Sequence, residues 1–470
     1  MTPTRLRRHE VLVIGAGIAG LTAAWDLRDR DVLVLESSER VGGRILSESR
    51  GTDWLNFGAH VFSGPGSETD RLVQETGVRS IVVPGTLTGL AVRGRLLTSG
   101  RVETLPFRLP LTLRERAGLI TSGIRLRRFV AAYDRAVKPR SGEDASAQRA
   151  RTLAFMNDRT FADFLGQVPP IVDDMFHATV ARSSAEPAQL AAGHGIGYFH
   201  LVWRKGEGLS RGIVGGSSRL TEALAAGLSE RVVTGAHVTS VAPSPDAVTT
   251  TFEVGGQTQQ VDAEHVIVAT PAYVTHKIVR DLPESLDAAL RAIPYGPYVV
   301  VSFLTNEAGT RPWDGAYAIG TPGNAFNMIF NIGNVARAAE TQGVRRPGGS
   351  LMVYSGGASL ALPMLELEDG AIISRYIDGL ERILPTVRTD IQEAVVQRWE
   401  KAIPYPAPGR ASLQPALETR LPRVHLAGDY LGTWYTETAI QTGASAAVLA
   451  RAGLAGHEHV GTARRQGSLP

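Results

Sequence analysis

The sequence predicts an α/β protein built on a parallel, doubly wound sheet, and three observations carry that expectation. A β-branched run, Val11–Ile14, leads at once into Gly15-Ala-Gly17-Ile-Ala-Gly20 and a helix with one apolar face. A second β-branched run, Val32–Leu35, ends in an acid, Glu36, about 20 residues beyond the glycine turn. Near the other end, residues 438–447 read as a helix made largely of small residues, so something must approach its backbone closely.

Each element follows from its residues. Val11–Ile14 is short, apolar and glycine-terminated, as a strand buried on both faces should be. Gly15 permits the tight turn, Gly17 lets the backbone approach a pyrophosphate at a helix N-terminus, and Gly20 lets helix and strand pack closely. Leu21, Ala24, Trp25 and Leu27 form the apolar face of the helix. Glu36 is placed to accept hydrogen bonds from ribose hydroxyls. Together these make a Rossmann-like dinucleotide-binding unit, with Gly15, Ala16, Gly17, Ile18, Ala19, Gly20 and Glu36 as candidate contacts.

The bulk properties narrow the class. A length of 470 residues allows two or three domains, and 43% hydrophobic with 20% charged residues describes a globular chain. A formal net charge of +3 gives no reason to expect a nucleic-acid partner. There are no cysteines, which excludes disulfides, thiolate metal sites, thiol catalysis and a cysteine-linked cofactor; no metal site is expected. Arg7-Arg8 before an apolar run has the look of an export signal, but glycines interrupt the run and it continues into an amphipathic helix. No apolar stretch reaches the ~18 residues of a membrane span, and a cytoplasmic location is expected.

The residues after Glu36 choose the cofactor. "ESSERVGGRILS" has the pattern E-x-x-x-R-x-G-G-R, and "DWLNFGAHVF" follows it. This resembles the flavin amine oxidase superfamily, which includes monoamine and polyamine oxidases, protoporphyrinogen oxidases and carotene desaturases. The resemblance implies FAD, with Glu36 on the adenosine ribose, Arg44 near the pyrophosphate, and Gly42, Gly43, Gly58 and Ala59 in the turns around it. It implies that Val238 meets the adenine through its backbone and that the chain returns to the cofactor at Thr270-Pro271. Trp399 would flank the flavin, a core tryptophan being the competing reading. Gly428 and Asp429 match the last FAD motif, with the acid on ribitol or pyrophosphate. The small-residue helix, starting near Thr438 and Ala439, would aim its positive end at the flavin pyrimidine edge, and Thr438 with Gln441 has capping-box spacing. With no cysteine present, FAD is expected to be non-covalent. The matching motifs lie in three blocks, which implies a discontinuous FAD domain (1–75, 210–285, 395–455), an inserted α+β substrate domain (76–209, 286–394), and a disordered tail over 456–470.

The substrate side departs from a standard monoamine oxidase. Such enzymes hold two aromatic rings upright against the flavin; Tyr435 matches one, and the other position falls at about Gly409. Their flavin-side lysine position falls at Tyr298, and no lysine lies between Lys277 and Lys401. Both departures suit protoporphyrinogen oxidases and desaturases better. "GAHVF" is similar to desaturases and, less closely, to UDP-galactopyranose mutase, and puts His60 near the flavin, either on substrate or bonded to backbone. No second dinucleotide fingerprint exists, since "GHGIGYF" at Gly193 follows no convincing strand. The expectation is an FAD-dependent oxidoreductase that removes a hydride from a C–H bond of a small, largely apolar or cyclic substrate and passes electrons to oxygen or another acceptor. A natural-product tailoring step is one setting for it. Tyr298, Tyr435 and His60 are the catalytic candidates, and Trp434, Tyr435, Tyr298, Tyr354 and Tyr405 the substrate-binding ones. A redox-neutral isomerase or mutase using reduced FAD and a non-catalytic flavin-binding protein are the alternatives.

Residues 114–140 carry eight basic residues against Glu115 and Asp134, interleaved with apolar ones. A solvated basic face over a packed helix is preferred to peripheral contact with an anionic membrane. Pro139–Arg151 reads as a flexible loop.

Overall fold

The computed structural model describes residues 4–203, 209–340, 346–433 and 435–466, the last helix with side chains as far as Ala455. An eight-stranded sheet is assembled from three separated stretches of chain. Its path runs Val232–Val233, Val32–Leu35, His9–Ile14, Gln257–Val268, Val248–Val254, His237–Pro243, with Thr4–Arg5 and Val424–Leu426 also on Gln257–Val268. The pairings around His9–Ile14 are parallel, and Leu12, Val13 and Val34 are fully buried, as their continuous apolar runs require.

The helix Ile18–Asp26 covers one face of this sheet. A Cβ on Gly20 would lie 1.9 Å from the Gly15 carbonyl oxygen, so only glycine fits there. The last helix, Tyr435–Gln466, packs across the first. A Cβ on Gly443 would lie 2.2 Å from the Ala19 carbonyl oxygen, and one on Gly453 2.3 Å from the His265 ring. At these positions the small residues therefore admit a second helix and the sheet. The backbone stays helical through Gln466, past Gly456 where the sequence expects order to end.

A second sheet has seven strands in the order Ile391–Pro404, Tyr295–Thr305, Gly349–Gly356, Met328–Asn331, Ala318–Gly320, Gly89–Val92, Arg95–Leu97. Gly349–Gly356 is buried along its whole length and Tyr295–Thr305 along nearly all of it. Helices from Leu113 to Trp203 pack at one end of this sheet around Phe161, Phe164, Phe176 and Phe199. The basic segment is the helix Leu113–Val137, capped by Thr112 and Glu115, with Leu119, Ser122, Leu126 and Tyr133 on its buried stripe. Arg93–Glu115 and Arg127–Glu103 pairs lie along it, while Phe107, Leu113 and Ile124 remain exposed. The expected loop at 139–151 is partly a helix, Ala145–Ala154, because Asp144 caps the Ala147 amide and Arg151 pairs with Glu143. Gly193 lies in a helix, Ala192–Trp203, and so in no second dinucleotide turn. No helix among the described residues is long and apolar enough to cross a membrane.

Candidate functional site

The glycine turns converge at the N-terminus of Ile18–Asp26. Gly17 is the N-cap, no side chain caps the helix, and Gly17 bridges Gly42, whose amide donates to the Ala16 carbonyl at 2.8 Å. A Cβ on Gly17 would meet nothing within 4 Å, so the space in front of the helix end is open. A Cβ on Gly43 would come 3.4 Å from the Gly17 Cα. Glu36 is buried beside this cradle. It accepts from the Ala16 amide at 2.6 Å and the Ser38 amide at 2.9 Å, which leaves carboxylate lone pairs for ribose hydroxyls. Its carbonyl accepts from the Ala236 amide, which brings the strand bearing Val238 alongside. An open helix end with free amides, a glycine cradle and a buried acid is the donor and acceptor set that a dinucleotide pyrophosphate and ribose need. Thr270 accepts or donates to Thr275 at 2.9 Å beside this turn, and a Cβ on Gly15 would touch the Ala269 carbonyl at 3.0 Å.

Further along, Arg44 and Asp429 meet. Two parallel hydrogen bonds of 2.8 Å join guanidinium to carboxylate, and Arg44 Nη1 also donates to the Ala402 carbonyl at 2.8 Å. Burial works against the Arg44 charge, but the Asp429 carboxylate outweighs it and holds the guanidinium above its ordinary pKa. The Gly428 amide donates to Thr442 on the last helix at 3.0 Å. Gly58 and Ala59 lie against Arg44, with the Ala59 amide donating to the Arg44 carbonyl at 3.3 Å, and the Trp399 indole donates to the Phe57 carbonyl at 2.7 Å. Trp399 thus fastens the second sheet to the loop that leads to His60. Thr438 and Ala439 are buried inside the first turns of the last helix, which starts at Tyr435; the capping box is not formed, and Gln441 donates instead to Glu437. Glu437 in turn accepts from the Glu68 and Thr69 amides and ties that helix to Glu68–Thr76.

Two aromatic groups stand on the far side. In the first, His60 packs edge-on against Phe330 at 4.4 Å, Phe330 stacks with Tyr354 at 5.7 Å, and Tyr354 meets Tyr298 at 5.0 Å. His60 Nδ1 bonds to the Gly58 carbonyl at 3.0 Å, so the backbone-bonded reading holds for that nitrogen, whereas the buried Nε2 has no partner among the described residues. Burial lowers the His60 pKa to about 4, the Gly58 carbonyl opposes this and the charge of Arg182 adds to it, so the ring is neutral near pH 7. In the second group, Tyr435 and Tyr405 line one pocket with His194, Arg410, Asp429 and Thr433. Tyr198 lies 5.9 Å from Tyr435. Trp434 lies outside the described residues.

Both groups hold the same short turn, Ala181–Ser183. Tyr298 donates its hydroxyl to the Ala181 carbonyl at 2.9 Å, and Tyr435 donates to the Arg182 carbonyl at 2.7 Å. Burial holds both phenols well above the ordinary range, so each remains a donor. The sequence reading missed Arg182, His194, Tyr198 and Phe330. Arg182 and Phe330 sit in no recognisable motif, and His194 and Tyr198 fall in "GHGIGYF", which was weighed only as a second dinucleotide turn; it forms a helix that others approach closely, since a Cβ on Gly195 would strike the Phe161 ring at 2.3 Å.

Residues 18–450 match the family of flavin containing amine oxidoreductases. The chain belongs to that family. It is 24% identical over 448 residues to the coproporphyrinogen III oxidase of Mycobacterium tuberculosis, covering 89% of this chain and 92% of that protein. Its fold is similar to that of putrescine oxidase bound to putrescine, with a TM-score of 0.73 and 18% identity over 95% of this chain and 100% of the other. It is likewise similar to cyclohexylamine oxidase from Brevibacterium oxydans, with a TM-score of 0.74 and 18% identity over 95% and 99% of the two chains. The protein is therefore an FAD-dependent oxidoreductase, and the glycine cradle, Glu36 and the Arg44–Asp429 pair fit that cofactor.

Two outcomes are expected of the cofactor site. Acid precipitation should release all flavin into the supernatant, because no cysteine is available for a thioether link; colour left in the pellet would point to another covalent bond. Glu36→Ala should raise the FAD dissociation constant roughly tenfold or more, since hydrogen bonds to a charged group contribute about 1.5–3 kcal/mol each. Full FAD occupancy with lost turnover would place Glu36 elsewhere than on the ribose.

Proposed function

We propose that this protein oxidises a C–H bond of a small, largely apolar or cyclic substrate held in the chamber formed by His60, Tyr298, Phe330 and Tyr354. The observation that carries this reading is the aromatic wall itself. Four rings in edge and stacked contact stand beyond the Gly58-Ala59 loop, and one buried ring nitrogen, His60 Nε2, is left without a partner. Bound FAD supplies the two-electron acceptor for the substrate, and its electrons pass to oxygen or another acceptor.

The chain supplies position. Tyr354 and Phe330 give flat faces for an apolar ring, and His60, neutral at working pH, offers its Nε2 as a single directional hydrogen bond. Tyr298, where amine oxidases carry a lysine, has its hydroxyl committed to the Ala181 carbonyl and so shapes the wall rather than moving protons. Trp399 and Tyr435 fix the loop and the turn on which this wall depends. By holding the substrate in one orientation these residues would make positioning the main catalytic device.

The test is anaerobic mixing of the holoenzyme with a panel of cyclic amines, amino acids and porphyrinogen-type substrates, followed by flavin absorbance. Bleaching by one class supports the reading. Product formation with no net bleaching, and only after external reduction, would favour a redox-neutral isomerase instead.

A further inference from the structure

The turn Ala181–Ser183 carries an arginine with no acidic partner among the described residues. Arg182 is half-buried, with its guanidinium carbon 5.9 Å from the Phe330 ring centroid. Its Nε is buried without a hydrogen bond, and Nη2 makes only a long contact of 3.4 Å with the Leu87 carbonyl. No aspartate or glutamate among the described residues forms an ion pair with it. Glu186, four residues on, is taken by His177 and the Ser359 amide. The guanidinium lies beside the Phe330 ring, which itself meets His60 and Tyr354.

The backbone that carries this charge is held from several sides. Tyr298 and Tyr435 donate to the carbonyls of Ala181 and Arg182. Ser184, the next residue but one, sits in the left-handed region at φ 60°, and its hydroxyl donates to the Ile403 carbonyl at 3.1 Å. A non-glycine residue in that region costs on the order of 1 kcal/mol and persists only where its surroundings fix it. A partly desolvated guanidinium without a counter-charge is likewise unfavourable. The cost of the unpaired charge is offset if an anion completes the site, because a guanidinium fork matches a carboxylate with two parallel hydrogen bonds.

We propose that Arg182 binds a carboxylate of the substrate, so that the oxidised molecule is an apolar or aromatic body bearing an anionic group and not a simple neutral amine. The proposal rests on the chamber being the substrate site. The carboxylate lies on the Arg182 fork, the apolar body lies against Phe330 and Tyr354, and the bond to be oxidised is thereby fixed at one end. The pyrophosphate is a separate anion with its own cradle at Gly17, Gly42 and Gly43, so loss of Arg182 leaves FAD binding intact.

The experiment titrates the FAD-loaded protein with benzoate and with its neutral isostere benzamide, read by flavin absorbance and by calorimetry. Wild type is expected to bind benzoate at least tenfold more tightly than benzamide, with the preference shrinking as salt rises. Arg182→Met should weaken benzoate by roughly ten- to a hundredfold, the range for a hydrogen-bonded charge pair, and leave benzamide affinity and FAD content unchanged. Arg182→Lys, which keeps the charge and loses the fork, should fall between. Equal or undetectable binding of both probes to wild type overturns the proposal, as does an Arg182→Met protein that retains benzoate. A parallel loss of benzamide affinity in both variants overturns it as well, since it would mark Arg182 as structural. If no substrate class bleaches the flavin while benzoate selectivity and its loss in Arg182→Met stand, it is the oxidase reading that fails and the anion site that survives.

Discussion

Asp429→Ala is expected to lower the denaturant midpoint of the protein and to abolish most FAD uptake. The carboxylate meets Arg44 across 385 residues of sequence, and the same guanidinium donates to the Ala402 carbonyl, so one group joins the N-terminal block, the second sheet and the C-terminal block. Removing the acid leaves a guanidinium whose side chain is only 34% exposed with no counter-charge. Breaking a buried pair in this way costs about 3–5 kcal/mol, and the lower end applies because part of Arg44 still reaches water. Asp429→Asn keeps the shape and one acceptor, and should lose less. The measurements are a denaturant titration of the apoprotein and an FAD reconstitution titration. An Asp429→Ala apoprotein as stable as wild type that still fails to take up FAD would make the acid a cofactor contact alone. Unchanged stability with full FAD would remove the pair from the account.

Tyr435→Ala should slow anaerobic flavin reduction by on the order of a hundredfold, because a shift of about 1 Å in a positioned group can cost that much. FAD content and the flavin spectrum should stay as in wild type. The ring packs against the helix Ala192–Trp203 through Tyr198, and its hydroxyl donates to the Arg182 carbonyl at 2.7 Å. Tyr435→Phe separates the two contributions. It keeps the ring and removes one hydrogen bond, a loss of roughly 1 kcal/mol that also frees the Arg182 turn. If clamping that turn is the purpose, the Phe variant should resemble the Ala variant in flavin reduction. Wild-type reduction rates in Tyr435→Phe would leave only the ring as important, and wild-type rates in Tyr435→Ala would make the residue packing.

The dinucleotide unit was legible in the sequence because its physics is local. A tight turn, a helix end and a close helix–strand contact each demand glycine at fixed spacing, and Gly15, Gly17 and Gly20 state that demand within six residues. Glu36 at the end of the second strand, the E-x-x-x-R-x-G-G-R run and the last motif at Gly428-Asp429 were readable for the same reason. Even the helix Ala145–Ala154 was announced by a capping aspartate at Asp144, and was overlooked because the surrounding residues are polar.

Partnerships between distant segments were decided only by the tertiary structure. The small residues of the last helix told that something comes close, but not that it is the Ala19 carbonyl at Gly443. Arg44 and Asp429 were both read as cofactor contacts, and nothing in their spacing showed that they face each other. Tyr298 and Tyr435 were chosen by resemblance to a family and Tyr354 and Tyr405 as further aromatic candidates, yet which ring meets which depends on strand register in the seven-stranded sheet and on helix packing. Arg182 carried no sequence signal at all. An arginine in a short loop is ordinary on paper, and its lack of an acid partner among the described residues becomes visible only when the acid four residues on, Glu186, is seen to be engaged by His177 and the Ser359 amide. The sequence by itself determined what kind of cofactor this chain is built to hold, since short-range backbone geometry writes that into consecutive residues; the aromatic wall around Phe330 and the charge of Arg182 beside it came from long-range packing, which no local pattern encodes.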